Sequence, residues 1–423
     1  MKKSIFLQFI LLFLLCTACQ KSMQKIGVIE ANQSQHLDKP YVILISLDGF
    51  RHDYVERFQP PSLVKFIQEG VQAKSLLPCF PSKTFPNHYS IATGMRPENH
   101  GLVDNTFYDP EKDAIYKISD REKVEDGSWY GGTPIWVQAA KSGMVSASYF
   151  FVGSEADVQG IRPTYYYNYD GSVPNEERTK QVLKWLRLPE DQRPHLITMY
   201  FSDMDDIGHR AGPNDDDALK KVLYRLDETL GNFFNNLEQL NLPINVILVS
   251  DHGMEEVLTE NYIPIEVLQD DQRYRTVNSG AVVHFHLKDK GDLNDVYQLL
   301  KRKEHNFKIY KTQDSPYYQA NTSNPRIGEL IAVVDHNYYF SSARKIGFLK
   351  ASGDKTGGQH GFPIDNNDIE GIFYARGSQI KSSTTIPSFE NIHVYPLICE
   401  ILDLKVPKEV DGKLKVLHDI LKK

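Results

Sequence analysis

Three short apolar runs, each followed directly by acidic residues and histidine, are the feature that most constrains the fold of this 423-residue sequence. They span residues 41–47, 195–201 and 244–250 and are rich in β-branched and aromatic residues. Runs of this length and composition predict buried strands. Because open α/β sheets present their sites beyond the carboxyl ends of parallel strands, the pattern predicts a doubly wound, mostly parallel sheet with helices on both faces.

Six polar side chains beyond these runs form a candidate metal cluster. The three carboxylates and three imidazoles are Asp48, Asp205, His209, Asp251, His252 and, in a later glycine-rich segment, His360. A single Asp after a strand is more often a turn or cap residue, so only the joint pattern supports the prediction. Oxygen and nitrogen ligands without thiolate suit catalytic Zn²⁺ ions better than a structural zinc. Two such ions can hold the attacking and leaving sides of a transferring phosphoryl group.

A threonine before a proline supplies the candidate nucleophile. Thr84 stands two residues before Pro86, and proline suits the first turn of a helix. A helix N-terminus attracts phosphate oxygens. A free hydroxyl is a poor nucleophile at neutral pH, but metal coordination can make the alkoxide available. Without metal ligands nearby, a helix cap would be the preferred interpretation of Thr84.

Motifs distributed over residues 40–415 resemble those of the nucleotide pyrophosphatase/phosphodiesterase family within the alkaline-phosphatase superfamily. The matching segments include residues 47–51, 83–89, 101–105, 132–136, 153–155, 205–213, 250–254, 360–361 and 389–396. The resemblance implies an alkaline-phosphatase-like fold with two Zn²⁺ per chain. One ion would lie on Asp48, Asp251 and His252, and the other on Asp205, His209 and His360, with Thr84 bridging toward both.

The same resemblance implies a substrate site and a two-step hydrolysis. Asn105 matches the family position that hydrogen-bonds a non-bridging phosphate oxygen. Phe85 and Tyr200 match aromatic positions beside the leaving or nucleotide group, and one of Tyr165, Tyr166 and Tyr167 is expected to join them. Thr84 would form a phosphothreonyl ester that water then cleaves. A small-molecule phosphodiester or nucleotide is the expected substrate.

Other activities share part of this pattern. Cys79 begins a segment that resembles the sulfatase motif, in which the cysteine stands nine residues before the threonine of a Thr-Gly pair. Cys79 stands fourteen residues before Thr93, whereas Thr84 stands nine residues before it. A phosphomonoesterase would be expected to place an arginine on the two free phosphate oxygens, whereas Asn105 and its aromatic neighbours suit a diester. Choline-type lipid phosphodiesterases of the same family have the same metal ligands, so the sequence does not decide between a nucleotide and a choline-type substrate. A non-catalytic surface lipoprotein is disfavoured because every proposed ligand is present.

Net charge and the N-terminal sequence bear on partners and location. A formal charge of −7 argues against a nucleic-acid-binding surface, which needs a basic stripe. Residues 1–19 combine a charged start, an apolar stretch and Cys19 after small residues, which predicts a signal peptide of the lipoprotein type. We therefore expect export to the periplasm or the outer-membrane surface through a lipid on Cys19, with plain secretion as the alternative. The only membrane contact expected is that anchor.

The remaining sequence divides into a tether, a core and an insertion. Residues 20–38 are polar and aperiodic, which predicts a tether. Residues 39–259 and 353–423 have the strand and ligand pattern of a catalytic core, and residues 260–352 are predicted to form an inserted subdomain. Cys79 and Cys399 are too far apart to indicate a disulfide framework and are expected to be buried free thiols.

Overall fold

A nine-stranded mixed sheet forms the centre of the molecule in the computed structural model, which describes residues 24–25, 29–320, 322–353 and 356–422. The strands are β1 Gln24–Lys25, β2 Tyr41–Leu47, β3 Val71–Ala73, β4 Leu76–Leu77, β5 Thr106–Asp109, β6 Ala114–Lys117, β7 Ser146–Tyr149, β8 Tyr165–Tyr167, β9 Leu196–Phe201, β10 Ile244–Val249, β11 Glu255–Leu258, β12 Tyr262–Pro264, β13 Tyr274–Asn278, β14 Val282–Leu287, β15 Phe307–Lys311, β16 Leu330–Val334, β17 Tyr339–Ser341, β18 Thr356–Gln359, β19 Phe373–Gly377, β20 Thr384–Ile386 and β21 Phe389–Glu390. The helices are α1 Tyr54–Phe58, α2 Pro61–Gln68, α3 Thr84–Thr93, α4 Pro97–His100, α5 Arg121–Glu125, α6 Ile135–Lys141, α7 Asn175–Trp185, α8 Asp203–Ala211, α9 Asp216–Glu238, α10 Leu293–Lys301, α11 Ala343–Ser352 and α12 Val394–Ile401.

The strand order of the large sheet is β1-β8-β7-β9-β2-β10-β19-β3-β20. Its five central strands, from β8 to β10, are parallel, and antiparallel pairs flank them on both sides. The three apolar runs are β2, β9 and β10, which lie side by side. Their carboxyl ends therefore meet at one edge, and the prediction of a doubly wound α/β sheet is confirmed.

Both faces of the large sheet are buried. Alternate residues of a strand point to opposite faces, and on β2 Val42 and Leu44 pack on one side while Ile43 and Ile45 pack on the other. Helices α3, α6 and α12 cover the first face, and α2, α7 and α9 cover the second. This two-sided burial explains why β2 is apolar at every position except Ser46 rather than alternating.

A second, four-stranded sheet lies within residues 260–352, the segment that we assigned to an insertion. Its order is β13-β14-β16-β15, and α10 packs on it in a third apolar cluster. His336 links this region to the core, since its ring lies 2.8 Å from Glu255 Oε2 and 2.9 Å from Asp365 Oδ1. The hydrogen bond with Glu255 raises the pKa of His336 to about 9, so a charged ring holds both carboxylates at neutral pH.

The segment assigned to a tether differs from the expectation where the structure describes it. Asn32 and His36 are buried. The Asn32 side chain donates to the carbonyl of Arg193 at 2.8 Å and accepts the Val145 N–H at 2.8 Å. Residues 29–38 therefore pack on the core, because single polar side chains satisfy strand-end backbone groups there, a contact that leaves no periodic signal in sequence.

Residues 1–19, which carry the signal-peptide and Cys19 predictions, lie outside the described residues. Within the described part of the chain, none of the helices has the length and apolar character needed to cross a bilayer. Cys79 and Cys399 are buried free thiols, as expected.

Candidate metal centre and nucleophile

Two groups of metal-ligand side chains meet at the carboxyl edge of the large sheet. Asp48 follows β2, and Asp251 and His252 follow β10, so these three converge from adjacent parallel strands. The second group comprises Asp205 and His209, one turn apart on α8 after β9, and His360 directly after β18. Within each group the ligand atoms lie within 4.8 Å of one another. The structure thus brings together all six side chains that the sequence singled out.

The two groups adjoin each other. The rings of His252 and His360 are stacked with centroids 3.8 Å apart. In the second group, Asp205 Oδ1 lies 3.4 Å from His209 Nε2 and 3.9 Å from His360 Nε2. In the first, Asp251 Oδ2 lies 3.0 Å from His252 Nε2. Two cations held by these groups would be close neighbours, as a two-ion phosphoryl-transfer site requires.

The donor atoms fit bound cations. Three inward carboxylate oxygens, Asp48 Oδ1, Asp205 Oδ1 and Asp251 Oδ2, are buried and accept no well-directed hydrogen bond from the described residues. A buried acceptor without a partner is costly unless something else satisfies it. Because all three oxygens face imidazole nitrogens of the same cluster, a metal ion on each group would satisfy them.

Each of the three imidazoles is oriented by a carbonyl behind it. Nδ1 of His209, His252 and His360 lies 2.8 to 3.0 Å from the carbonyls of Gly358, Gly253 and Ser82, respectively. A carbonyl can only accept, so Nδ1 carries the proton and Nε2 keeps its lone pair for a metal. Burial and the nearby His252 also hold the pKa of His360 well below its usual range, which keeps the ring neutral.

The carboxylates repel one another inside the protein. Burial raises the pKa of Asp48 well above its usual range, and the neighbouring Asp251 and Asp205 raise it further. Burial likewise raises the pKa of Asp205. For Asp251, the effect of burial is outweighed by His252 and His88, which lower its pKa well below the usual range. A divalent cation between these groups would offset the repulsion and reverse the raised pKa values.

Thr84 lies beside this cluster at the first residue of α3. Its Oγ1 is 3.3 Å from His252 Nε2. Lys83 occupies the cap position and makes no capping hydrogen bond with its side chain. The alternative interpretation of Thr84 as a helix cap therefore does not describe its position.

Asn105 is held so that its amide is oriented. Its Oδ1 accepts the Phe85 N–H at 2.9 Å. Because the oxygen is used in this way, the Nδ2 group remains the donor available to a substrate oxygen. Both residues are half-buried beside Thr84, so the arrangement places a neutral donor next to the candidate nucleophile.

The aromatic residues differ partly from the sequence expectation. Tyr200 is only 9% exposed, and its hydroxyl donates to Asp48 Oδ2 at 2.5 Å. Tyr200 therefore holds the candidate ligand Asp48 in place, and its buried ring offers little surface to a substrate. Tyr169 is 40% exposed and lies 6.0 Å from the Tyr200 ring and 5.3 Å from that of Phe150.

Tyr165, Tyr166 and Tyr167 do not supply the third aromatic ring at the site. They form β8, where Tyr165 and Tyr166 are buried. Tyr165 and Tyr167 contact Trp185 of α7, and Tyr167 also stacks on Tyr149. The ring of Tyr169, which follows the end of this strand, is the one that contacts the ring of Tyr200. Tyr169 belongs to the same tyrosine-rich segment of the sequence and stands two residues after Tyr167.

His88 and Gly49 contact the candidate ligands, and the sequence analysis gave neither of them a role at the site. The buried His88 lies 3.2 Å from Asp251 Oδ2 and 2.8 Å from Ser46 Oγ. Gly49 has φ +64, and a Cβ there would lie 2.7 Å from the Asp205 Cα. Glycine at that turn thus allows the chain after Asp48 to approach the backbone of α8 at Asp205 closely.

The fold and this cluster define an alkaline-phosphatase-like α/β protein with paired metal-ligand groups beside a threonine at a helix N-terminus. The chain belongs to the type I phosphodiesterase / nucleotide pyrophosphatase family, whose sequence profile matches residues 42–363. The family resemblance inferred from the motifs is thereby confirmed.

Curated relatives of the chain include animal enzymes. A venom phosphodiesterase from Crotalus durissus collilineatus is 35% identical over 393 residues, which are 90% of this chain and 46% of the relative. Human ectonucleotide pyrophosphatase/phosphodiesterase family member 1 is 35% identical over 399 residues, which are 91% of this chain and 42% of the relative. The chain thus spans less than half the length of these two relatives.

A solved structure of mouse ectonucleotide pyrophosphatase/phosphodiesterase 5 is similar along its whole length. Its TM-score is 0.82 at 27% identity, covering 91% of this chain and 100% of that chain. It is an inactive threonine-to-alanine variant in complex with AMP. The similarity supports the α/β fold and its mixed central sheet.

Proposed function

We propose that this chain is a metal-dependent hydrolase that cleaves phosphodiester or pyrophosphate bonds, with Thr84 as nucleophile and a Zn²⁺ on each ligand group. The observation that carries the proposal is the 3.3 Å separation of Thr84 Oγ1 from His252 Nε2, at the N-terminus of α3. The Thr84 hydroxyl thus lies beside both ligand groups and at a helix N-terminus, which favours the binding of phosphate. The mouse relative whose threonine-to-alanine variant is inactive is consistent with a threonine nucleophile.

The chemistry consists of two displacements at phosphorus. When bound, the Zn²⁺ ions would supply charge stabilisation and lower the pKa of Thr84 and of water. Thr84 Oγ1 attacks phosphorus, the bond to the leaving oxygen breaks, and a phosphothreonyl ester remains. Asn105 donates from Nδ2 to a non-bridging oxygen during this step. Water then attacks the ester, releases the second product and returns Thr84 to its starting form.

A nucleotide is the substrate class that the surroundings favour. Asn105 is uncharged, which suits a diester with one negative charge better than a monoester with two. Phe85 and Tyr169 present aromatic faces for an organic group. The structure of the mouse relative is a complex with AMP, a nucleoside monophosphate. Choline-type phosphodiesters are the second candidate, since aromatic faces also bind quaternary ammonium groups.

The test compares kcat/KM for an aryl ester of a nucleoside monophosphate, an aryl ester of phosphocholine and a simple aryl phosphate. We expect the nucleotide ester to be cleaved fastest, and Phe85→Ala to lower its kcat/KM by about ten- to a hundredfold, since base stacking contributes roughly 1–3 kcal/mol. With ATP, the products should be AMP and pyrophosphate, because a bound base places the α-phosphorus over Thr84.

Phe348→Ala is the matched control, because this ring is 70% exposed on α11 and lies outside the proposed site. It should leave all three rates unchanged. A preference for the phosphocholine ester that Phe85→Ala does not reduce would contradict the nucleotide assignment. ADP and orthophosphate as primary products from ATP would contradict the proposed placement of the α-phosphorus over Thr84.

The sulfatase alternative predicts an essential Cys79, whereas its surroundings indicate a structural thiol. Its Sγ donates to Asn391 Oδ1 at 3.4 Å, and burial raises the pKa of Cys79 to about 12. A serine can replace that weak donor, so Cys79→Ser should keep phosphodiesterase kcat/KM within about threefold of the wild type. Steady-state rates on the nucleotide ester measure this.

Cys399→Ser is the control for replacing a buried thiol, since Cys399 is also fully buried. A loss above about a hundredfold in Cys79→Ser alone, with fold and zinc content unchanged, would return the sulfatase to consideration.

We further propose that the protein is exported. Relatives are named as ectonucleotide pyrophosphatases and venom enzymes, which act outside cells. A signal peptide over residues 1–19 and a lipid anchor on Cys19 would place the enzyme in the periplasm or on the outer-membrane surface. The core at residues 39–259 and 353–423 and the insertion at 260–352 remain proposed boundaries.

A further inference from the structure

Asp104 connects the substrate side of the site to the second sheet. Its side chain is fully buried directly before Asn105 in sequence. Asp104 Oδ1 accepts the Asn105 backbone N–H at 2.6 Å and a short hydrogen bond from the Ser279 hydroxyl. Asp104 Oδ2 lies 3.1 Å from His284 Nε2. Thus one carboxylate binds the backbone of Asn105 and two side chains that lie far away in sequence.

The partners of Asp104 are themselves fixed in the second sheet. Ser279 follows β13, and the buried His284 is in the paired strand β14. His284 Nδ1 lies 3.0 Å from the carbonyl of Ile327, so the ring is held from both sides. Removing either partner would leave the Asp104 carboxylate with one donor fewer and hold it less firmly.

A second chain of contacts joins the same turn to the nucleophile. Lys83 Nζ donates to the Tyr339 hydroxyl at 2.8 Å, and that hydroxyl lies 3.4 Å from the carbonyl of Ser279. Lys83 directly precedes Thr84. The turn at Ser279 therefore contacts the supports of both Asn105 and Thr84.

We propose that Asp104, held by Ser279 and His284, is a positioning residue for Asn105, so that the second sheet sets where the Asn105 amide meets the phosphate. This inference rests on the proposed function. A donor to a developing oxyanion must lie within a few tenths of an ångström of its best position, and losing one such donor lowers rates by about 10²- to 10³-fold. A donor that is loosened rather than lost should cause a smaller fall.

The test is a double-mutant cycle in the full chain with the nucleotide aryl ester. Ser279→Ala should lower kcat/KM by about three- to tenfold, the effect of one lost hydrogen bond. In an Asn105→Ala background, Ser279→Ala should change the rate by less than about twofold, because the residue through which it acts is gone. His284→Gln should show the same dependence on Asn105 and replaces Ser279→Ala in the cycle if that variant does not fold.

Thr276→Val is the matched control, because this buried hydroxyl of β13 has no hydrogen-bond partner within the described residues. It should leave kcat/KM unchanged in both backgrounds. Equal effects of Ser279→Ala with and without Asn105 would overturn the positioning role, as would an unchanged rate in the first background. An inactive wild type, or an Asn105→Ala variant as fast as the wild type, would instead contradict the proposed function.

Discussion

Replacing Thr84 by alanine is expected to lower kcat on nucleotide esters by about four orders of magnitude or more, the scale seen when a nucleophile is removed. Its Oγ1 lies at the cluster, 3.3 Å from His252 Nε2. The fold should persist, because the Thr84 side chain does not cap α3 and the residue is only half-buried at the helix start. Steady-state rates, thermal unfolding and zinc content, measured on the same preparation, check the three parts of this expectation.

Thr84→Ser is the matched control, since it keeps the hydroxyl and removes only a methyl group. It should retain activity within about a hundredfold of the wild type and far above the alanine variant. Rapid quenching followed by mass spectrometry should find the nucleoside monophosphate group of the substrate esterified to residue 84 in the wild type and in the serine variant. An alanine variant within tenfold of the wild type, with metal bound, would rule out the covalent route.

The sequence predicted the strands and the ligands that follow them because both are local signals. The apolar runs agree with β2, β9 and β10 to within a residue at each end. An aspartate at the end of a buried parallel strand must lie at the sheet edge, so Asp48 and Asp251 could be placed without knowing the fold. His360 is different, since it follows β18, a strand outside the large sheet, and its glycine-rich segment suggested a ligand without indicating which strand would carry it.

The contacts that the sequence did not reveal depend on side-chain direction and on distant pairing. Tyr169, rather than a residue of β8, faces Tyr200 because it lies beyond the strand end, a boundary that periodicity does not fix to two residues. Tyr200 matched an aromatic substrate position, yet its hydroxyl reaches Asp48. The link from Asp104 to His284 joins the core to the second sheet. No local pattern predicts such a pair, because each residue alone is an ordinary buried polar group.

The second large effect expected is that of metal. Elemental analysis should find about two Zn²⁺ per chain, and a chelator should abolish activity until zinc is restored. His360→Ala should then remove about one ion per chain and lower kcat by at least about a hundredfold. The reason is that His360 Nε2 faces Asp205 while its Nδ1 is held by the Ser82 carbonyl, so the second group loses one of its three ligands. Zinc content and rate should be measured after dialysis against a weak chelator.

His336→Gln separates this effect from the general loss of a histidine. His336 also lies between carboxylates, Glu255 and Asp365, but outside the two ligand groups. We expect that variant to keep both ions and nearly the wild-type rate, although its stability can fall. If His360→Ala changes neither zinc content nor rate, the assignment of the second group is wrong. Loss of both ions would mean that the groups bind zinc cooperatively, which the 3.8 Å stacking of His252 on His360 allows.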